Sequence, residues 1–334
     1  MNQESQKTHS EERYVTRPNL AEVGEMMLEA WARPCREYSE SLLSSYINRP
    51  TTDPELSMAM YVGNRLAGFM NYTTYDMWFQ EQPARVLIAR FAASRKEFAG
   101  QHVGLRVVAK MREMIESRNF DGLFGVTESG SRASKSFQRN YTRMHYPVHQ
   151  LKVFPLFMGM PRMIRRRVES LEGCPVQSYD TRFRSQCVEM VDRLKNRVQI
   201  SRRIPEEDAD FIFRDRPLTQ SWLCVDGERL KGLLNVMRVR VLGKDKDSIN
   251  AYIEHLLGND MTEAECQSFL ATVFKDDFWR DIEAVYAPDT GYFNPHPLTS
   301  VGFFRTPSTC DFYWVPFNER FQIETVDSFY LDVF

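Results

Sequence analysis

The chain has 334 residues, 43% hydrophobic and 26% charged, with a net charge of −2; this suits a globular protein with room for two cores and excludes bulk attraction to nucleic acid. No apolar run reaches the roughly 18 residues of a membrane span, and the start MNQESQKTHSEER lacks the apolar segment of a secretory signal. Six scattered cysteines without a C-x-x-C pair, and the absence of H-E-x-x-H, argue against a metal site or a disulfide framework and fit a reducing cytoplasm.

Residues 1–12 read as a disordered leader. RYVTRP (13–18) predicts a strand, and residues 19–34 a helix with Asn19 as N-cap and Leu20, Val23, Met26, Met27 and Ala30 on one face. A second helix covers 36–47, and 56–79 form a hairpin around the turn pair Gly63-Asn64. RVLIARFAAS (85–94) is an apolar strand ending in small residues. A turn with Gly100 and Gly104 then opens an amphipathic helix over 105–120, followed by a strand (121–128), a polar-faced helix (131–141) and a strand region (145–157). The run PRMIRRR lies in a stretch with Pro161, Gly173 and Pro175, which reads as a linker over 161–178 between domains at 13–160 and 179–334. It either contacts a phosphate, an acidic peptide or a membrane surface, or is a solvated linker whose arginines pair with acidic neighbours.

The second half repeats the order: helices at 181–198 and 205–213, a hairpin at 221–243 around Asp226-Gly227, a strand at 249–258, a helix at 262–276, a strand at 281–288 and a short helix at 296–303. The repetition suggests duplication.

The turn before residue 105 carries the chemistry. A helix mouth has free backbone N–H groups and a positive dipole end, so it receives phosphate. Arg95, Lys96 and Arg106 are close enough in sequence to add charge. The organisation resembles the GNAT superfamily of acyl-CoA N-acyltransferases in its tandem form. The family's acyl-CoA loop maps onto Ala99, Gly100, Gln101, His102, Val103 and Gly104, where only the last glycine matches, with Leu105 following. The resemblance implies an α/β (α+β mixed sheet) fold of two tandem GNAT-like domains, acyl-CoA (acetyl-CoA or a longer acyl chain) as co-substrate, and direct attack by an amine. It also implies that the strand before the loop parts from its neighbour, with Ala92, Ala93 and Ser94 small enough for the thioester to approach and the N–H groups around Phe91 and Ala92 polarising its carbonyl. Phe137 takes the place of the family's leaving-group tyrosine, a departure that leaves the acid role open, with Tyr141, one turn on, as a candidate substitute. Tyr72 and Tyr75 are placed towards the acceptor.

The segments RFAASRKEFAGQHVG and SFQRNYTR are also similar to the N-myristoyltransferase branch, which lacks the glycine-rich loop and uses its C-terminal carboxylate as base; here that group belongs to Phe334. A base is needed because a protonated amine is no nucleophile. Asp76, Glu81, Glu128, Glu254 and His255 are candidates; the residues do not single out the base, and Glu254, which shares the second half's central strand with His255, is carried forward as the catalytic candidate. Acidic residues near the start of the helix at 262–276 would repel pyrophosphate, so the second half shapes the amine site instead. Met- and Phe-rich segments either line an acyl tunnel or fill the cores. The expected partner is a small-molecule amine or peptide acceptor, with no nucleic acid and no transmembrane segment. Two alternatives remain: a long-chain fatty acyltransferase acting on a peptide or amino acid, and a non-catalytic acyl-CoA-binding or interaction protein of the same fold.

Overall fold

The computed structural model describes residues 11–258 and 260–333. Residues 1–10 of the leader and the carboxylate of Phe334 lie outside the described residues, and Glu12 already belongs to the first strand.

The first half runs β1 (Glu12–Thr16), α1 (Leu20–Ala30), β2 (Cys35–Arg36), α2 (Glu40–Ile47), β3 (Ser57–Val62), β4 (Arg65–Phe79), β5 (Gln82–Ser94), α3 (Val103–Glu116), β6 (Gly122–Glu128), α4 (Arg132–Arg143) and β7 (His149–Gly159). The second runs α5 (Pro161–Val168), β8 (Val176–Ser178), α6 (Arg184–Asp192), β9 (Ile200–Arg202), α7 (Glu206–Asp210), β10 (Thr219–Asp226), β11 (Arg229–Leu242), β12 (Ser248–Leu257), α8 (Glu263–Val273), β13 (Ala284–Pro288), α9 (His296–Val301), β14 (Phe304–Pro316) and β15 (Phe329–Tyr330). Local chemistry sets several boundaries. The Asn19 side chain accepts from the N–H groups of Ala21 and Glu22 and starts α1, and Gly63 turns the β3–β4 hairpin at φ 60°.

Besides the short strands β2, β8 and β9, which the sequence reading did not anticipate, two longer stretches differ from it. Residues 161–168, read as linker, form α5, with Pro161 in the first turn where a missing N–H costs nothing. Residues 304–316, not anticipated as a strand, form the long β14, whose register slips between Arg305 and Thr309 around Pro307. A proline and four hydroxyl or charged residues hide the strand pattern at its start, and burial begins only at Asp311.

All main strands join one mixed sheet in the order β1-β3-β4-β5-β6-β14-β7-β13-β12-β11-β10-β8. β14 pairs with β6 on one edge and β7 on the other, and β7 pairs onward with β13. Each half therefore receives a strand from the other, and the sheet runs unbroken across both. On the first half α3 and α4 cover one face, over Tyr72, Leu87, Leu123 and Tyr313. Helices α1 and α2 cover the other, over Phe69, Val86, Phe91 and Trp314. The alternation of Leu123 with Phe124 and of Tyr313 with Trp314 between these two cores is the two-residue period of a sheet buried on both faces.

Trp314 is fully buried, its Nε1 donates to Phe321 O at 3.1 Å, and its ring occupies the space that a Cβ at Gly122 would need. Trp314→Ala is expected to lower stability by about 3–5 kcal/mol. Because β14 is paired on both edges, the loss should appear in urea denaturation as one shifted transition. Two separated transitions, one unmoved, would contradict the shared sheet.

Candidate active site

β5 and β6 pair in parallel only from Val86↔Gly122 to Ala89↔Gly125, although β5 continues to Ser94 and β6 to Glu128. The two strands part beyond Ala89. At that point β5 carries a bulge: Asn71 of β4 faces Phe91 and Tyr72 faces Ala89, so Arg90 has no partner. A bulge re-aims side chains and ends regular pairing. Here Arg90 and Phe91 both turn to the α1/α2 face, where Phe91 packs edge-on to Tyr46 at 5.2 Å and Tyr38 at 6.1 Å between centroids. Ala92 is exposed and Ala93 half-buried beside the opening.

The mouth of α3 faces the same end of the sheet. Its position follows from Gly68 of β4, where an added Cβ would collide with Val103 Cγ1. His102 precedes the helix in the left-handed region (φ 55°), is exposed, and supplies no side-chain cap. The first closed turn is Arg106 N–H to His102 O at 3.0 Å, so the N–H groups of Val103, Gly104 and Leu105 have no intrahelical acceptor. Gly100 has φ +86°, and a Cβ added there or at Gly104 would find no atom within 4 Å. The first turn of α3 has no acidic residue. Ala99 and Gln101 are exposed on the same turn, and Gln101 N–H is tied back to Phe98 O. Of the three cations expected nearby, Arg95 is buried, donating to Leu66 O and pairing with Glu29, and Arg106 pairs with Glu12. Lys96 is exposed and, among the described residues, has no ionic partner.

Phe137 and Tyr141 share the buried face of α4. The Phe137 ring fills the space above Gly125 that a Cβ would need, and so lies at the point of parting. Tyr141 is enclosed in the α3/α4 core, its hydroxyl 2.5 Å from that of Tyr72, and burial raises both pKa values. Tyr72 and Tyr75 lie on opposite faces of β4, because residues three apart on a strand point to opposite sides. Only Tyr75 reaches the face with Phe91.

That face holds a buried polar network that the sequence did not announce. Asp332, 2% exposed, accepts from Tyr75 Oη at 2.6 Å and pairs with Arg90 at 2.9 Å and Arg202 at 3.0 Å. Glu254, 1% exposed, pairs with Arg216 at 2.5 Å and lies 3.5 Å from Tyr46 Oη. Arg49 pairs with Asp208. Arg49 and Arg202 stack over the Tyr75 ring, Arg90 and Arg216 over the Tyr46 ring. Burial opposes ionisation of Asp332, but Arg202 and Arg90 outweigh it and hold the carboxyl well below its ordinary range. For Glu254 burial wins over Arg216, and its pKa rises. Of the other carboxylates considered as bases, Glu81 and Glu128 are exposed and Asp76 is half-buried. A signal that could have pointed to the network was Arg90, an arginine within the apolar run of β5.

The second half repeats this architecture position by position. Ser57, Gly63, Gly68, Asn71, Arg90 and Phe91 recur at one constant offset as Ser221, Gly227, Gly232, Asn235, Glu254 and His255. Asn71 Nδ2 donates to Ser57 Oγ at 2.8 Å, and Asn235 Nδ2 to Ser221 Oγ at 2.8 Å. Glu254 is the unpartnered bulge residue of β12 as Arg90 is of β5. β12 and β13 also part, beyond Tyr252↔Tyr286, but the gap is filled: the Tyr292 hydroxyl accepts the Leu256 N–H at 3.2 Å. The mouth of α8 is closed by a capping box of Thr262 and Glu265, with Glu263 beside it. Among the described residues no group of three His, Cys, Asp or Glu side chains is placed to hold a metal ion.

His255 stands where the first half has Phe91. Burial, and then Arg202, lower its pKa to about 3. A histidine that is neutral when folded and protonated when unfolded loses stability as pH falls from its ordinary value near 6.5 towards 3. His255→Phe should therefore flatten the acid limb of a plot of melting temperature against pH between about 6.5 and 4. An unchanged slope there would show that another group carries it.

No protein-family model matches the chain, and no curated protein matches its sequence at a significant level. Solved structures do match. Saccharomyces cerevisiae N-myristoyltransferase with bound myristoyl-CoA and inhibitors superposes with a TM-score of 0.72 at 8% identity, over 91% of this chain and 80% of that one. A GCN5-related N-acetyltransferase from Kribbella flavida gives 0.58 at 12% identity, over 92% and 71%, and one from Anabaena variabilis gives 0.58 at 11%, over 91% and 72%. With β5 parting from β6 beside an open helix mouth, these superpositions establish that the chain has a GNAT-like acyl-CoA N-acyltransferase fold.

Proposed function

We propose that the protein is an acyl-CoA-dependent N-acyltransferase, built from tandem GNAT-like units at 13–160 and 179–334, of which only the first binds the donor. The observation that carries this is the contrast between the halves. Beside β5 the strands part and the α3 mouth has free amides, with no carboxylate in its first turn. Beside β12 the equivalent gap is filled by Tyr292, and the α8 mouth by Thr262 and Glu265. A diphosphate needs free N–H groups and a positive dipole end, and only α3 offers both.

A bound CoA thioester supplies an acyl group activated towards amines. The residues 99–105 hold its diphosphate. Where β6 departs, N–H groups of β5 around Phe91 and Ala92 lose their inter-strand acceptors, and they serve the developing oxyanion. Phe137 packs beneath the thioester rather than donating a proton. The amine attacks the carbonyl carbon from the α1/α2 face and gives its proton to Glu254, relayed by the Tyr46 hydroxyl. The tetrahedral adduct then collapses, breaking the C–S bond and releasing the thiolate.

The same network favours an acceptor that is an amino acid or peptide. Four guanidinium groups (Arg49, Arg90, Arg202, Arg216) face three carboxylates (Asp208, Asp332, Glu254), and Arg90 Nε and Arg216 Nη2 are buried with no hydrogen-bond acceptor. An acceptor carboxylate would satisfy that excess. The likeness to N-myristoyltransferase supports a long acyl chain, which a series of donor lengths reads directly.

Gly104→Glu places a carboxylate at the helix mouth without a steric clash. Thermal shifts with CoA, acetyl-CoA and longer acyl-CoAs should be positive for the native chain and absent for this variant. Equal shifts in both would remove the donor site. Glu254→Gln should keep the donor shift while the turnover number for amine acylation falls by about a hundredfold or more. In the native chain turnover should fall as pH drops through the raised pKa of Glu254, and a variant of unchanged turnover would remove Glu254 from the chemistry.

A further inference from the structure

We propose that helix α5, together with the turn packed against it, docks the protein on an anionic lipid membrane surface. Among the described residues five large hydrophobic side chains are exposed, and three of them meet here: Met160 (37%), Met163 (58%) and Phe304 (44%). Met160 precedes α5 and Met163 lies in its first turn. Phe304 opens β14 opposite Met158 of β7, two residues before Met160. The turn at Gly302 lies on α5, since a Cβ there would sit 3.6 Å from both Arg167 Cδ and Ile164 Cγ1. The apolar side chains thus lie together where β7 ends and β14 begins.

Cations surround them. α5 buries Pro161, Ile164 and Val168 and leaves Arg162, Arg165, Arg166 and Arg167 exposed. A solvated linker would pair these arginines with acidic neighbours, and the structure shows little of that. Arg165 reaches Asp277 at 3.8 Å with both groups largely in water, a contact of small energy. Among the described residues Arg162, Arg166 and Arg167 have no ionic partner, and Arg305, next to Phe304, reaches only Asp289 at 3.7 Å while 63% exposed. Cations and apolar groups together on the exposed face of one helix and the turn beside it distinguish a lipid surface from an acidic peptide. A peptide would take the arginines and leave Met163 and Phe304 in water. A bilayer interface takes both, headgroup phosphates on the guanidinium groups and the apolar side chains at the acyl boundary. No helix among the described residues is long and apolar enough to cross a membrane, so the contact is peripheral.

The test is co-sedimentation of the full chain with vesicles of phosphatidylcholine alone or containing about a third phosphatidylglycerol. Binding should be at least about tenfold tighter to the anionic vesicles and weaken with salt. The double variant Arg166→Glu, Arg167→Glu should lose about tenfold or more of that affinity. Met163→Asp should lose several-fold even at high salt, where the remaining attraction is apolar. Both variants alter exposed side chains, and unchanged melting temperatures verify that they fold. Failure to sediment with anionic vesicles at low salt would overturn the proposal. So would vesicle binding that neither variant weakens, or equal binding to poly-glutamate that Met163→Asp leaves untouched.

Discussion

The architecture rests on one buried carboxylate. Asp332, near the end of the chain, is held by Tyr75 of β4, Arg90 of β5 and Arg202 of β9 with almost no contact with water. An ion pair so enclosed contributes little net stability compared with an apolar core, but removing one partner strands the others and costs about 3–5 kcal/mol. What it supplies is register. The last strand, β15, is laid against β9 and β9 against β4, so the chain's final residues lie under the strand that parts from β6. Arg90 answers to this clamp and to the bulge at once, and that fixes the neighbouring Phe91.

The two halves share a skeleton and differ in what fills it. The Asn–Ser hydrogen bond, the hairpin glycine, the close-packing glycine and the bulge recur in both. At the bulge, however, the first half has Arg90-Phe91 and the second Glu254-His255. The opposite charges meet in the same network through Tyr46, which stacks with Arg90 and approaches Glu254. The duplicated position that lies beside the opening in one half therefore provides a carboxylate to the same region from the other. Filling the second gap with Tyr292 and capping α8 internally leaves, of the two equivalent helix mouths, that of α3 uncapped.

Much of the first half was legible from its residues. Periodicity marked α1, α3 and α4, glycine pairs marked both hairpins, and small residues marked the end of β5. The helix mouth at Gly100–Gly104 was visible because its chemistry is local: a turn, a helix start and no acid. Glu254 was among the candidate bases from its place on a repeated strand. The assignments of Arg95 and Arg106 to the mouth followed sequence proximity, and each is instead engaged with a carboxylate from another element, Glu29 and Glu12. Tyr72 and Tyr75 were placed together towards the acceptor, but three residues apart on one strand they point to opposite faces.

The sequence by itself determined the α/β class, the repeated order of elements and the free amides before α3, because each depends on residues within a turn or two of one another. Only the tertiary structure decided that β14 and β7 cross between the halves, that Arg90, Arg202, Asp332, Tyr46 and Glu254 converge beside Phe91, and that Tyr292 fills the second gap. Those outcomes depend on contacts between residues far apart in the chain, set by sheet order and strand register, and no local pattern of side chains encodes them.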